Sequence, residues 1–390
     1  MTLATVTVRV AFASNPWEAA PTWADVSHDV LSFKIQRGRF HELDRMEAGT
    51  ASIVLDNASA NYWPDNAAGL YYGNVRPGKR VNIRATYMAV IYDIYTGYVE
   101  AYSPGWKTGG GLGSTMTIDC ADEVKPMSRL LINNAGYAQE LSGARVNNVI
   151  DYYVPYPEKD IDAGQSLMQA TGALANINAM DHLFTVQESE LGLFWIRGDG
   201  YVVFQDRHAR MNAPYTISQA TFGDTPGEMK YYALELSYDD QYLYNDIRIT
   251  RVGGIEQVAG DPTSVLRYGT RSLSRTALLM TNDAEALDQA NYLLSRFKDP
   301  ALRVKNITIL PQADPVNLWP KVLGYEISTR ITIKLTQASI NADYHIEGIG
   351  HDVDAATGVW KTRWELSNAD AQTYWILGTS ALDYTTRLAY

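Results

Sequence analysis

The stretch from Val26 to Asn57, VSHDVLSFKIQRGRFHELDRMEAGTASIVLDN, constrains this chain more than any other, because it reads as one long β-hairpin with a charged tip. Leu31, Phe33 and Ile35 alternate with Ser32, Lys34 and Gln36, and Ala51, Ile53 and Leu55 alternate with Ser52 and Asp56. Each arm therefore has one apolar face. Between the arms lie Arg37, Arg39, His41, Glu42, Asp44, Arg45 and Glu47, mixed in sign and unsuited to a core. Gly38 and Gly49 stand where the arms give way to the tip, as turn punctuation does. Such a tip is either a solvated connection or a clamp on another subunit.

A chain of 390 residues, 46% of them hydrophobic, has room for two or three packed domains. Its 26 Tyr and nine Trp outnumber its eight Phe, so most aromatics carry a polar handle of the kind used at half-buried and interface positions. A formal charge of −11 argues against a nucleic-acid binder, which needs clustered Lys and Arg. An acidic lumen past which DNA slides without sticking is compatible with it. The lone Cys120 excludes an intrachain disulfide framework and a cysteine metal cluster; alternating with Met116 and Ile118, it reads as buried strand packing. No apolar run reaches the length of a membrane span, and Met1 to Phe12 is too mixed for a signal peptide, so neither membrane insertion nor ordinary secretion is expected.

Thr5 to Phe12 opens on a strand, and a linker from Asn15 to Trp23 leads to the hairpin. Asn57 to Gly78 reads as a long ordered loop pinned by Tyr62, Trp63, Tyr71 and Tyr72. Strands resume at Val81 to Tyr87, Ile91 to Ala101 and Thr115 to Cys120, so the first unit is all β. From Asp122 to about Arg210 the pattern becomes mixed: a helix begins at Ser142 and is closed by Pro155, and a second helical stretch spans Ala173 to Glu190. A tight hairpin turns at Arg197-Gly198-Asp199-Gly200. Strands return at Tyr231, with Ile247 and Ile249 opposite Asp246 and Arg248. Asn282 starts a helix with Glu285 at the capping-box position and a core stripe of Leu287, Ala290, Leu294 and Phe297. An internal echo sets Gly97-Tyr98-Val99-Glu100 and Trp106 of the first unit against Glu347-Gly348-Ile349-Gly350 and Trp360 of the last.

No chemical constellation is complete. Gly73 to Arg80 nearly spells a phosphate loop, but Arg80 replaces the magnesium-ligating Ser or Thr and a strand follows. His41-Glu42 lacks the second histidine of a zinc protease helix, since Arg45 stands there. His345 and His351 have no partners at metal spacing, and the Asp352 to Gly358 segment lacks the closing glutamate of a calcium loop. The Gly109 to Gly113 run fits a hairpin loop better than a nucleotide fingerprint. Carboxylate pairs such as Glu188/Glu190 and Asp239/Asp240 do not by themselves make a glycosidase. No catalytic, cofactor or metal site is expected, and the chain is read as non-enzymatic.

The run of Trp23, Asp25, Val26 and Ser27, then Arg37-Gly38-Arg39, Glu42-Leu43-Asp44, Glu47-Ala48-Gly49-Thr50 and Leu55-Asp56-Asn57, resembles the opening of the minor tail proteins of tailed bacteriophages, which are similar to baseplate and tail-tip hubs. Arg76-Pro77-Gly78, Thr96 to Glu100 after Tyr95, Ser189 to Gly192 and Trp375 to Gly378 extend the likeness over nearly the whole chain. The resemblance implies a mainly β fold with an α+β insertion and two tail-tube-like barrel or sandwich domains. Residues 1–125, completed by strands after about 206, would form the first such domain, 126–230 the insertion, 231–370 the second with one helix, and 371–390 a tail docked on a neighbour. It implies a virion protein of the tail tip, assembled in the host cytoplasm, whose homotrimer adapts the sixfold tube to a threefold tip and leaves a channel for DNA ejection without specific DNA binding. Partners would be the tail tube, a distal ring protein, the tape measure protein and fibres or spikes. Arg37, Arg39, Asp44, Arg45 and Glu47 would contact the adjoining ring, and strand faces rich in Asp and Thr would line the channel. Some relatives carry a lytic or fibre-binding extension that has no counterpart in this sequence, so wall degradation is not expected. The abundance of Tyr and Trp leaves a carbohydrate-binding or glycan-degrading tail protein acting on the host surface, or a general adhesin, as the alternatives.

Overall fold

The computed structural model describes residues 3–107, 113–153 and 158–369. The expected docking tail 371–390, Pro155 and Gly109 to Leu112 lie outside them. One thirteen-stranded sheet organises the rest. Its first half holds β1 (Thr5–Val10), β2 (Val30–Gly38), β3 (Glu47–Asp56), β4 (Arg80–Tyr87), β5 (Val90–Gly105) and β6 (Thr115–Ala121). Its second half holds β7 (Ala233–Ser237), β8 (Arg303–Ile309), β9 (Arg330–Leu335), β10 (Ile340–Asp354) and β11 (Val359–Asn368). Short strands at Ala24–Asp25 and Thr221–Phe222 flank β1 and β9.

The hairpin is β2 and β3, paired from Val30↔Leu55 to Gly38↔Glu47. Its alternation holds, with one change. A register shift between Val30 and Ser32 puts Val30 rather than Leu31 into the core, and Leu31 is exposed. Phe33, Ile35, Ala51, Ile53 and Leu55 join a hydrophobic core that continues through both halves to Ile346, Trp360 and Trp364.

The two halves follow the same course. Taken in sheet order, the first runs β2-β3-β6-β5-β4 and the second β7-β8-β11-β10-β9, so each is a hairpin followed by a three-stranded meander inserted in reverse. The likeness extends to single hydrogen bonds. Gly78 N–H donates to the Val99 carbonyl at 2.7 Å and Val99 N–H to Lys79; Ser328 N–H donates to Ile346 at 2.8 Å and Ile346 N–H to Thr329. Gly78 and Ser328 both have positive φ, +83° and +78°. A bulge follows Val99 and another follows Ile346, which makes Glu100 and Glu347 equivalent. The internal echo is therefore real in topology but displaced: the backbone matches Val99 with Ile346, where the sequence spacing matched Gly97 with Gly348.

The halves meet in a strand pairing. β10 is long enough to serve two neighbours along one edge, pairing with β9 over Ile340 to His345 and with β2 over Gly348↔Gly38 to Asp354↔Ser32. The expectation that strands after Asp206 complete the first unit is corrected here, because Thr221–Phe222 and β7 pair with β9 and β8 of the second half. Among the described residues, the later strand that pairs with the first half is β10.

Two smaller units are inserted. The middle one packs α1 (Ser142–Tyr153) and α2 (Ala179–Glu190) beside the hairpin Leu193–Ile196 and Val202–Gln205. The expected helix from Ala173 starts only at Ala179; Leu174–Asn178 is a strand on Leu131–Asn134, and Asn178 caps α2 by accepting from Met180 and Asp181 N–H. The other unit lies inside the second half: Asp246–Arg251, flanked by Gln257–Gly260 and Ser272–Leu278, carries α3 (Asp283–Phe297). Asn282 caps α3 through Glu285 N–H at 2.8 Å. The buried face is Ala286, Ala290, Leu293 and Phe297 rather than the Leu287 and Leu294 stripe, and Leu287 is exposed. The sequence reading missed α4 (Pro315–Gly324), whose Trp319 meets Trp360 edge-on at 5.1 Å.

Candidate functional site

Strand alternation sends the apolar side chains of β2, β3, β10 and β11 into the core and leaves the other face polar across the seam. Its rows follow from the register. Asp119, Ser52, Lys34, Asp352 and Lys361 are successive partners across five strands. Thr50, Gln36, Gly350 and Arg363 form the next row. Ser52 Oγ donates to Asp119 at 2.8 Å, and Lys34 faces Asp352 at 3.5 Å across the seam. With Glu100 and Thr308 these residues line a hollow of about 580 Å³. Lys34, Lys361 and Arg363 balance Glu100, Asp119 and Asp352, so this face is mixed in charge. Beneath it, His351 Nδ1 lies 3.0 Å from Thr362 Oγ1, and burial, with Arg37 nearby, depresses its pKa to about 3. It is a neutral structural histidine. His345, beside the Ser328 carbonyl at 2.9 Å, is likewise depressed to about 3, mainly by burial.

Among the margins of the sheet that are unpaired in the described residues are those of β5 and β7. β5 pairs with β6 through Ala101 to Gly105, and its opposite edge there corresponds to the edge of β10 that β2 occupies. Glu100 and Ser103 to Gly105 are exposed. β7 pairs with β8 on one side only. Pro104 removes one donor from the β5 margin, a common guard on edge strands.

The hairpin tip is tied within the chain. Arg37, 4% exposed, makes a two-pronged pair with Glu326 at 2.8 and 3.0 Å. Arg39, 6% exposed, reaches Glu347 at 2.8 Å, and Arg210 takes the other oxygen of the same carboxylate. Arg45 meets Glu188 of α2 at 2.9 Å, Glu42 meets Arg296 of α3 at 2.8 Å, and Tyr242 stacks on His41 at 3.5 Å while its hydroxyl approaches Asp44 at 3.4 Å. Glu47 stays exposed. The tip thus joins the sheet to both inserted units. Arg37 and Arg39 are too buried to be offered to another ring. Glu326 and Glu347, the partners that complete this network, were not singled out because nothing in their local sequence marks them as facing residues about 300 positions away.

Comparison with solved structures then decides the fold. The tail protein of Neisseria meningitidis MC58 superposes with a TM-score of 0.60 at 12% identity, covering 93% of this chain and 96% of its own. The chain has the fold of phage tail proteins. The 43 kDa tail protein of prophage MuSo2 from Shewanella oneidensis gives a TM-score of 0.60 at 13% identity, over 94% of this chain and 99% of its own. An E. coli type VI secretion component, described as structurally similar to phage T4 tail proteins gp27 and gp5, gives 0.50 at 8% identity, over 88% of this chain and 74% of its own. No family model and no curated protein matches the sequence. In this tail-protein fold the loop after the hairpin is held as the sequence suggests: Tyr62 hydrogen-bonds Asp29 at 2.5 Å and Tyr71 stacks on Phe12 at 4.1 Å, although Tyr72 is exposed. Cys120 is buried, and burial raises its thiol pKa far above the ordinary value.

Proposed function

We propose that this chain is a structural hub of a phage or phage-derived tail tip, three copies of which close a ring around an axial channel for DNA. The observation that carries the reading is the doubled strand order with its seam. Within one chain, the first half docks on the second by adding β2 to the long edge of β10. The equivalent edge of β5 and the outer edge of β7 are the two ends of that pattern, and pairing them between copies repeats the same step. A heterologous contact of this kind generates a ring when its rotation closes, and the resemblance to hub proteins supplies the number, three chains presenting six half-units. The mixed polar face across the seam would then look into the channel. Balanced charge there gives translocating DNA little to bind. Tube, distal ring, tape measure and fibre or spike proteins are the partners this position implies, and the role asks no catalysis of the chain.

The test is cross-linking in assembled tails. With Val99 matched to Ile346, Ser103 of one copy falls opposite Leu236 or Ser237 of the next, the choice depending on the register shift after Glu235. Cys120 is buried and silent. Ser103→Cys combined with Leu236→Cys or Ser237→Cys should give covalent dimers and trimers under oxidation, which no single variant gives. Complete tails with no cross-link in either combination would remove the edge-to-edge ring.

A further inference from the structure

Where the middle unit meets the second half of the sheet there is a cavity of about 490 Å³, lined by Asp160, Asp162 and Asp206, the Leu193–Gln205 hairpin and the segment before β9. Its size is that of a small-ligand site. Glu326 on its wall is already taken by Arg37, and Asp160 lies 3.3 Å from Arg197. Asp162 and Asp206 are different. Asp162 accepts Asp206 N–H at 3.1 Å, Asp206 accepts from Gln165 Nε2 at 2.7 Å and from His208 N–H at 2.9 Å, and neither carries a salt bridge among the described residues. Burial raises the Asp162 pKa, and the charges of Asp206, Asp160 and Glu190 raise it further. Arg197, the cation on this wall, is held by Asp199 and Asp160, which leaves Asp162 and Asp206 without one among the described residues.

Two buried polar atoms on the same wall lack partners as well. Trp195, 4% exposed, has no acceptor for Nε1–H, and Gln205, 6% exposed, has no donor for Oε1. The pairings Trp195↔Val203 and Leu193↔Gln205 put both side chains on one face of their hairpin, and both line the cavity. Leaving a buried donor or acceptor unmet is costly, so a group that meets both would be favoured there. We infer that this cavity receives the side chain of a basic residue from a partner protein, its cation between Asp162 and Asp206 with an N–H on Gln205 Oε1, and its main-chain carbonyl accepting from Trp195 Nε1–H. An indole wall suits a guanidinium or ammonium group. The requirement for an acceptor beside the cation is what favours a peptide over a free polyamine.

The probes are Nα-acetyl-arginine methylamide and its lysine counterpart, with agmatine as a cation lacking the carbonyl, and N-acetylglucosamine as a neutral ligand. Titration into the whole protein is followed by the indole N–H resonance of Trp195, assigned with Trp195→Phe, and by calorimetry. Saturable binding of an amide probe in the millimolar range or tighter, at least about tenfold weaker for agmatine and for Asp162→Asn/Asp206→Asn, supports the proposal when the variant keeps the wild-type Tm. Should that pair destabilise the fold, the single Gln205→Leu variant must show the same weakening. Equal binding of agmatine and the amide would point to a free cation and overturn the peptide source. A resonance that moves only with the sugar, or with no probe, would overturn the cation site altogether.

Discussion

Glu347 sits fully buried at the bulge of β10 between Arg39 and Arg210, and although burial alone would raise its pKa, the two guanidinium groups hold it down to about 2. Removing one member of a buried pair leaves the other uncompensated, so Glu347→Leu should cost about 3–5 kcal/mol in chemical denaturation. Arg37→Ala should fall in the same range because Glu326 loses both prongs. Arg45→Ala, on a side chain 61% exposed, should cost under about 1 kcal/mol. Titration gives a second residue-level prediction. Burial raises Asp122 to about 7, from an ordinary 3.8, while Gly49 N–H at 2.7 Å and Val124 N–H at 3.0 Å hold its carboxylate in place. A raised folded pKa gives stability that is complete below about 4 and lost as pH climbs towards 7. The histidines act oppositely: His41 and His182 depressed to about 4, and His345 and His351 to about 3, lose stability as pH falls below the ordinary 6.5. Thermal unfolding of Asp122→Asn across pH 4 to 7 should therefore rise more steeply with pH than wild type, by about 1.4 kcal/mol per unit. A profile parallel to wild type would contradict the assignment.

At the scale of elements the seam depends on Gly38. Its φ is +89°, and a Cβ there would stand 2.3 Å from the Glu347 carbonyl and 2.8 Å from Gly348 Cα, backbone that cannot step aside. Gly38→Ala should loosen β2 from β10 and lower Tm by several degrees, with faster amide exchange concentrated along the seam. Gly350→Ala meets only the flexible Gln36 Oε1 at 2.8 Å and should be mild. Much at this scale was readable in the chain. Phe33, Ile35, Ile53 and Leu55 announced the hairpin by their period, and Asn282 announced α3 by its cap. The rest depended on contacts that local sequence does not carry. Leu31 lost its place to Val30 through a bulge, and the period around Leu287 turned by about one residue once α3 had to sit on Ile247 and Ile249. The charged tip was legible as charge, not as destination. Its partners come from five distant segments, and only folding brings Arg37 to Glu326.

For the whole molecule, the mainly β class and the tail-protein resemblance were visible from ordered short motifs, while the doubled architecture showed only as a displaced echo. Gly78 and Ser328 explain why: two halves share a backbone bend and almost no residues, so identity fades where geometry persists. The same geometry leaves one long edge and one outer edge for another copy, and an exposed edge is a hazard unless something covers it. Aromatic residues stand nearby, with Trp106 beyond β5 and Tyr232 and Tyr238 around β7 all exposed. Aromatic anchors are where interface energy concentrates, so Trp106→Ala should reduce the yield of complete tails while leaving the Tm of the isolated chain within about 1–2 °C. The most direct measurement is the symmetry of this protein in intact particles, by electron microscopy of the tail tip. Three copies are expected around an open axial channel, their six half-sheets joined alternately by β2 on β10 within a chain and β7 on β5 between chains. Six copies, or copies placed off the axis, would contradict it.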